Sequence, residues 1–215
     1  MQGEDEQLAA LKNWWQKNGT SLVTGVALAL AIIFGWKAYQ NHTQEVAEAA
    51  SNRYQMLIQS LAAVDSSDAD AVAKVQLQAQ ELKAEHDGTT YAQYAALVLA
   101  KLAVEQGNLE QAEAELRWVL SQKPEAEIER IATGRLARVL GEQKRYDDAV
   151  ALLSVPAEDA FFVYFQEIKG DILSVAGQTD AAREAYQAAL DQVGVEGQGA
   201  PLLQIKLADL ATASQ

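Results

Sequence analysis

A long uncharged stretch near the N-terminus constrains this chain more than any other feature. Residues 18–36 carry no charged side chain and lie between Lys17 and Lys37. As an α-helix they would extend about 28 Å, close to the roughly 30 Å hydrocarbon core of a bilayer. Tryptophan and tyrosine residues flank the stretch, where amphipathic rings lie among lipid headgroups. The stretch therefore predicts a membrane-spanning helix over residues 19–38, after a short tail of residues 1–18.

The alternative to a permanent anchor is a signal peptide that is removed. A signal peptide has a shorter apolar core, which ends in a small-x-small cleavage site. Ala-Leu-Ala occurs at residues 27–29 and again at 29–31, but Ile-Ile-Phe at 32–34 still follows within the apolar run. The arrangement favours an uncleaved anchor over a signal peptide, and the aromatic ends disfavour a buried core helix.

Small residues recur four positions apart within the stretch. Gly25 and Ala29 share one helix face, and Ala31 and Gly35 share another. Small faces let helices approach closely in lipid, where packing drives association. These four residues are candidate transmembrane packing positions, although alanine and glycine are common in any span and the pattern fits an ordinary one equally well.

Charge is distributed unevenly along the chain. Beyond residue 37 there are 14 lysines and arginines against 27 aspartates and glutamates, so the net charge of −13 belongs to this part. Such a surface repels phosphate backbones and anionic headgroups, which disfavours nucleic acid and peripheral lipid binding. Lys12 and Lys17 before the stretch balance Lys37 and Arg53 after it, so positive charge leaves the membrane orientation undecided.

Three stretches of the acidic part align with one another. They begin at Gly107, Lys144 and Gly177, at offsets of 37 and 33 residues, and each reads as a turn followed by a helix. The residues seven positions before these turns are all small: Ala100, Ala137 and Gly170. Small residues there let the two helices of a hairpin approach closely. The pattern resembles the tetratricopeptide repeat, a 34-residue helix-turn-helix unit.

The sequence thus predicts an all-α fold, in which one N-terminal transmembrane helix precedes a right-handed tetratricopeptide-like α-solenoid of helix hairpins over residues 39–215. Its expected parts are an atypical unit at 44–88, repeats at 91–124, 128–156 and 161–194, and a capping helix at 201–213. Pro156 shortens the second helix of the middle repeat. Leucines of the capping helix are expected to cover the apolar end of the array. A generic helical bundle is the alternative.

The order of these parts is similar to that of a known family. The chain resembles the YfgM-like ancillary subunits of the Sec translocon of Gram-negative bacteria in its short acidic tail, in "NWWQKNG" and "GW" around the apolar stretch, and in the "KGD" repeat. The resemblance implies a single-pass inner-membrane protein with a cytoplasmic N-terminus and a periplasmic repeat domain. It also implies two partners, the SecYEG translocon and a membrane-anchored periplasmic chaperone of the prolyl-isomerase class.

Residues that could carry chemistry are sparse. The only histidines, His42 and His86, are too far apart in sequence for a metal pair at helical spacing. Asp68-Ala-Asp70 begins like a calcium loop but lacks its later glycine and glutamate, so Asp68 is interpreted as a helix N-cap. The sequence has no cysteine, glycine-rich phosphate loop or nucleophile elbow. We expect no catalytic residue, no cofactor and no metal, in a protein that is not an enzyme.

The function is then expected to reside in surfaces. In this repeat type the first helices of successive units line a concave groove. By register, the candidate partner-binding residues are Tyr94, Leu97 and Lys101 of the first repeat, Arg135 and Arg138 of the second, and Tyr164, Glu167 and Asp171 of the third. Repeats that clamp the acidic C-terminus of heat-shock chaperones need lysine and asparagine at set groove positions, and most of these differ here. Such a clamp is not expected.

Two local patterns leave alternatives open. "AFFVYF" at residues 160–165 is typical of a buried helix, or it places Tyr164 in the groove. The basic residues between Arg130 and Arg145 form either internal salt bridges, to Glu129 or Glu142, or a docking strip for an acidic partner.

The leading functional hypothesis is a membrane-tethered scaffold beside the translocation channel that hands emerging chains to a chaperone, with unfolded secreted proteins as further candidate partners. The alternatives are a cell-envelope assembly scaffold unconnected with secretion and a regulatory subunit of a stress-signalling system.

Overall fold

The structure is a computed structural model that describes residues 2–65, 68–194 and 197–213, and all regular elements within these ranges are α-helices. Residues 1, 66–67, 195–196 and 214–215, which belong to the predicted tail, atypical unit and repeat domain, lie outside the described residues. The helices are α1 (Gln2–Ala63), α2 (Ala69–Glu85), α3 (Thr90–Glu105), α4 (Leu109–Ser121), α5 (Ala126–Glu142), α6 (Tyr146–Ala151), α7 (Phe162–Val175), α8 (Thr179–Val193) and α9 (Ala200–Ala213). The predicted all-α class is confirmed.

The chain divides into two units, Met1–Ala49 and Ala50–Gln215. The first unit is the N-terminal part of α1, whose side chains from residue 7 onward are almost all exposed. Among its large apolar side chains, Ile32 is 67% exposed and Phe34 is 66% exposed. By length and composition this helix is apolar enough to cross a membrane.

The second unit consists of helical hairpins whose two helices meet at small residues. Ala100 and Ala137 are buried in the core of the first two hairpins. In the third, a Cβ atom on Gly170 would overlap the ring of Tyr186, which is itself only 3% exposed. Glycine therefore allows α7 to approach α8 more closely than any larger residue could.

The turns of the three hairpins share one geometry. Gly107, Lys144 and Gly177 have positive φ angles of 74°, 63° and 76°. In each turn the next amide donates a hydrogen bond to a carbonyl near the end of the preceding helix: Asn108 to Ala103 at 2.8 Å, Arg145 to Leu140 at 2.9 Å, and Gln178 to Leu173 at 2.9 Å. These bonds satisfy carbonyls that the helix itself leaves unpaired. The three aligned sequence stretches thus form equivalent turns.

Side chains cap the starts of α2, α3 and α4. Asp68 accepts hydrogen bonds from the amides of Asp70 and Ala71 at 3.1 and 3.0 Å, which confirms the predicted N-cap of α2. Thr89 and Asn108 accept amide hydrogen bonds in the same way at α3 and α4. Each cap satisfies donors that would otherwise be unpaired in the first turn.

The hydrophobic core of the second unit continues along the array. One cluster joins residues 50–64 of α1 and the following link with α2 and α3, a second extends from α3 to α7, and a third joins α7, α8 and α9. Leu203 and Leu210 of α9 are 2% and 6% exposed and pack on the third hairpin. α9 therefore covers the end of the array, as a capping helix must.

Candidate functional site

The first helices of the hairpins, α3, α5 and α7, carry the predicted groove residues. One cavity is lined by Lys101 of the first repeat and by Arg135 and Arg138 of the second, so the candidate residues of these two repeats lie at one site. Tyr94 is half-buried, and its ring lies 5.4 Å from that of Tyr54. Leu97 is only 9% exposed and packs in the hydrophobic core, so it offers little surface to a partner.

A cavity of about 440 Å³ opens between α3 and α5. Its apolar lining includes Val104 of α3, Leu109 and Leu116 of α4, and Val139 of α5. Val104 is 42% exposed, whereas Leu116 and Val139 are buried. The charged residues that line the same cavity are Lys101, Glu105, Arg135, Arg138 and Glu142. An apolar floor with charges around it is the usual composition of a ligand-binding cavity. We call this cavity the α3/α5 cleft.

The first two hairpins remain joined through α4 although the cleft separates α3 from α5. The side-chain amide of Gln143 donates to the carbonyl oxygen of Leu109 at 3.2 Å, and Arg145 pairs with Glu113 at 3.0 Å. Burial opposes ionisation of Glu113, but hydrogen bonds from Arg117, Gln143 and Arg145 lower its pKa overall. These contacts join α4 to the turn that follows α5.

The corresponding space between α5 and α7 is smaller, a cavity of about 240 Å³ lined in part by Arg138, Asp171 and Val175. Tyr164 packs its ring on Gly134, where a Cβ atom would lie 2.5 Å from the ring carbon Cε1. The same ring contacts Phe161 and Phe165, with centroids 6.2 and 5.8 Å apart. Further along α5, Gly141 leaves room for Ile172. Tyr164 is therefore a partly buried interface residue, which favours the packing interpretation of the aromatic run.

A lysine of α9 pairs with both acidic candidates on α7. Lys206 Nζ donates to Glu167 Oε1 at 2.8 Å and to Asp171 Oδ1 at 2.6 Å. Asp171 also accepts from the Tyr186 hydroxyl at 2.8 Å and pairs with Arg138 at 3.3 Å. Burial alone would lower the pKa of Lys206, but its bonds to the two carboxylates raise it. Within the described residues, no group of three or more histidine and acidic side chains could hold a metal ion.

The basic residues of the second repeat divide between the two alternatives. Arg130 pairs with Asp159 at 2.8 Å, and Arg145 pairs with Asp148 at 2.8 Å as well as with Glu113. Arg135, by contrast, has neither an ion pair nor a side-chain hydrogen bond to any other described residue, and its side chain is exposed. Arg130 and Arg145 therefore form internal salt bridges, whereas the guanidinium of Arg135 remains accessible to a partner.

The small residues of α1 are accessible. Gly25, Ala29, Ala31 and Gly35 are all exposed, and a Cβ atom on Gly25 or Gly35 would meet nothing within 4 Å. Both faces are therefore open to close approach by another helix.

Two residues of this surface were not identified from the sequence. Val104 aligns with Gly141 and Ser174 in the repeat register. The other two repeats thus have a small residue where the first has valine, and this difference could have identified Val104 from the sequence. Lys206 is the one basic residue in the sequence of the capping helix. Its pairing with α7 depends on how α9 packs, which the sequence pattern does not state.

Comparison with known proteins assigns the chain to a family. The profile of the tetratricopeptide repeat-like domain matches residues 12–212. The Haemophilus influenzae protein named ancillary SecYEG translocon subunit is 30% identical over 186 residues, which cover 86% of this chain and 88% of the relative. This chain belongs to the ancillary SecYEG translocon subunit family. The relative of that name from Escherichia coli K12 is 28% identical over 214 residues, 98% of each chain.

A solved structure shares the fold of this family member. The protein described as MamA 41-end from Desulfovibrio magneticus RS-1 superposes with a TM-score of 0.51 and covers 79% of this chain and 89% of its own. The sequence identity is 17%, so the similarity concerns the fold alone. Together with the domain match, it confirms the predicted tetratricopeptide-like solenoid of the ancillary-subunit chain.

Proposed function

We propose that this chain is a membrane-anchored repeat scaffold that associates with the SecYEG translocon. The observation that carries the proposal is the match, over nearly the whole length, to relatives that are named ancillary SecYEG translocon subunits. The match includes both the apolar part of α1 and the repeat domain, so the whole arrangement of parts is common to these proteins.

The proposed location is the bacterial inner membrane, with one span, a cytoplasmic N-terminus and a periplasmic repeat domain. The exposed apolar side chains of α1 support the span, because a helix with such a surface is stable in lipid rather than in water. The test has two parts. The full 23.3 kDa chain should resist extraction by alkaline carbonate, and external protease should degrade residues beyond Tyr39 in spheroplasts. A protected repeat domain would place it in the cytoplasm and contradict the proposal.

The two surfaces of the chain would have separate partners. The small faces of α1, at Gly25, Ala29, Ala31 and Gly35, would pack against the channel. The groove of the repeat domain would bind a membrane-anchored periplasmic chaperone of the prolyl-isomerase class, and segments of unfolded secreted proteins could occupy the same groove. Of the candidate groove residues, all but Leu97 keep accessible surface there, and Glu167 and Asp171 are already paired with Lys206.

Crosslinking in cells separates these two contacts. Replacing the four small residues of α1 with leucine keeps the span apolar but prevents close approach, so channel crosslinks should be lost while chaperone crosslinks remain. Arg138→Glu together with Tyr164→Ala should have the reverse effect, because a charge reversal and the loss of an aromatic side chain in one groove weaken binding. If the groove variant keeps its chaperone contact and the leucine variant loses both, recognition lies in the membrane and the repeat domain is a spacer. Crosslinks to envelope proteins alone would favour a scaffold unconnected with secretion.

A further inference from the structure

Arg135 is exceptional among the arginines of this chain. Each of the other six makes an ion pair with a carboxylate: Arg53, Arg117, Arg130, Arg138, Arg145 and Arg183. Arg135 makes none with any residue that the structure describes, although the chain has 30 acidic residues against 17 basic ones. A guanidinium that lacks a partner in such an acidic protein keeps its donors free for a carboxylate from elsewhere.

The repeat register shows what normally stands at this position. Offsets of 37 and 33 residues align Arg135 with Val98 and Ile168, which are 8% and 0% exposed and pack in the core. An arginine at an aliphatic packing position cannot fill the space between helices, because its charge must stay solvated. The α3/α5 cleft, at about 440 Å³, is larger than the cavity of about 240 Å³ between α5 and α7, where the aligned residue is the buried Ile168.

The apolar part of the cleft is large enough for a peptide side chain. The whole cleft has a volume of about 440 Å³. Its apolar lining includes Leu109, Leu116 and Val139, and Val104 beside them keeps 42% of its surface exposed. Covering such an apolar surface with another apolar group is favourable, because both surfaces leave contact with water. Three basic residues, Lys101, Arg135 and Arg138, line the cleft together with Glu105 and Glu142, so the lining has a net charge of about +1, which a single carboxylate balances.

We propose that the α3/α5 cleft binds a peptide segment in which one or two large apolar side chains lie next to a single carboxylate. The apolar side chains enter the cleft over Val104 and Val139, and the carboxylate accepts hydrogen bonds from the guanidinium of Arg135. This recognition deepens the proposed scaffold function and rests on it, since it names the segment that the groove selects. The carboxylate belongs to a side chain within the segment, and a C-terminal carboxylate is the other possible source.

Fluorescence anisotropy with synthetic peptides tests this selectivity on the full chain in lipid nanodiscs, with empty nanodiscs as the blank. The probe is a fluorescein-labelled, C-amidated Gly-Ser-Phe-Leu-Asp-Gly-Ser peptide. We expect saturable binding, weakened about tenfold when asparagine replaces the aspartate or when two serines replace Phe-Leu. A peptide that ends in Phe-Leu with a free carboxylate distinguishes the terminal source, and we expect it to bind more weakly than the probe.

A charge exchange provides the decisive comparison. Arg135→Glu should lower the affinity for the aspartate peptide about tenfold. The same variant should bind the matching lysine peptide, in which lysine replaces the aspartate, more tightly than the wild type does. Arg183→Glu on α8, whose partner Asp180 is 94% exposed, is the matched control and should bind as wild type. Val104→Trp is a second test variant. Because tryptophan should fill the cleft, it should lower the affinity for every apolar peptide, whatever the charge of that peptide. Circular dichroism confirms that each variant is folded.

Three results would overturn the inference: no binding of the probe to the wild type, equal binding of the aspartate and lysine peptides, or wild-type binding by both Arg135→Glu and Val104→Trp. Crosslinking of the wild type to the channel distinguishes this failure from that of the scaffold proposal. Channel crosslinks without peptide selectivity would remove only the cleft inference, whereas selective peptide binding without channel crosslinks would remove only the proposed translocon association.

Discussion

The interfaces between successive first helices differ although they share one repeat register. Between α5 and α7, Tyr164 packs on Gly134, and Ile168 is fully buried. Between α3 and α5, the residue that aligns with Ile168 is Arg135, and a cavity of about 440 Å³ remains. The α5/α7 interface, which we call the closed interface, keeps only about 240 Å³ of cavity, and aromatic and aliphatic side chains fit against glycine in the rest of it. The α3/α5 interface, which we call the open interface, keeps the larger cavity and has a charged residue at the packing position.

The difference separates stability from recognition within one small array. A closed interface buries apolar surface and stabilises the unit at roughly 25 cal/mol per Å². An open one leaves apolar surface in contact with water, which lowers stability but provides a site for a partner. Repeat arrays tolerate this division because each unit contacts only its neighbours, so one interface can lose packing while the rest hold. The predictions that follow alter the closed side first and then the open side.

The largest effect is expected from Gly170→Leu, inside the hairpin on which the closed interface is built. The new side chain would overlap the buried ring of Tyr186. Overpacking of this kind costs about 1–3 kcal/mol, which corresponds to a fall of roughly 3–10 °C in the melting temperature. Gln187→Ala on the exposed face of α8 is the control and should stay within about 0.5 kcal/mol. Equal melting temperatures for the two variants would show that the repeat register is wrong.

Gly134→Val should destabilise the closed interface by about 1–2 kcal/mol, because the new side chain displaces the ring of Tyr164. The effect is smaller than at Gly170, since Tyr164 is only partly buried and can swing outward. A double-mutant cycle with Tyr164→Ala measures the contact by denaturant unfolding. In the alanine background the cost of Gly134→Val should largely disappear. Additive effects would mean that the two residues do not touch.

Lys206→Met should cost about 1 kcal/mol near neutral pH, because Glu167 and Asp171 lose their shared cation. Burial, and then the hydrogen bond to Asp171, raises the pKa of Tyr186, and the pKa of Lys206 is raised as well. Both groups therefore bind protons more tightly in the folded chain than in the unfolded chain. Their contribution is complete below their ordinary pKa values of 10.0 and 10.5 and is lost as the pH rises above them.

Thermal unfolding across pH 7–12 measures this linkage. Wild-type stability should fall above about pH 10, and the slope should become smaller when Lys206→Met is combined with Tyr186→Phe. A slope that the double variant leaves unchanged would place the alkaline transition elsewhere in the chain.

Arg135→Ile should leave stability unchanged or raise it by up to about 1 kcal/mol, since isoleucine restores the residue type of the closed interface. Denaturant unfolding of the purified chain gives the value. A loss of more than about 1 kcal/mol would mean that Arg135 makes stabilising contacts in solution, and the comparison between the two interfaces would fail.

The smallest effect is expected from Lys144→Gly in the turn of the second hairpin. Lys144 has a φ angle of 63°, where Gly107 and Gly177 stand in the other hairpins. A left-handed conformation is costly for a residue with a Cβ atom, so glycine should stabilise the chain by about 0.5–1 kcal/mol. A melting temperature below that of the wild type would contradict the equivalence of the three turns.

The fold of this chain can be predicted from its sequence more completely than its binding surface can. Turn residues and small residues recur at fixed offsets, and they specify the hairpins at Gly107, Lys144 and Gly177 because backbone geometry depends on local residue type. The surface depends on contacts between distant residues. Glu167 and Asp171 are suitable groove residues by register, but Lys206, far along the chain, pairs with both of them. Leu97 also has the right register, yet its burial follows from packing that no periodicity expresses.

The most direct test of the central claim is site-specific photocrosslinking in cells from position 104, inside the α3/α5 cleft, with position 187 on α8 as the reference. If the open interface recognises partners, a crosslinker at position 104 should capture a periplasmic chaperone or a secreted protein. Mass spectrometry identifies the captured protein. Arg135→Glu should remove these crosslinks, and position 187 should give none. Equal crosslinking from both positions, or crosslinks from position 104 that Arg135→Glu leaves unchanged, would contradict the claim that the unfilled interface is the site of recognition.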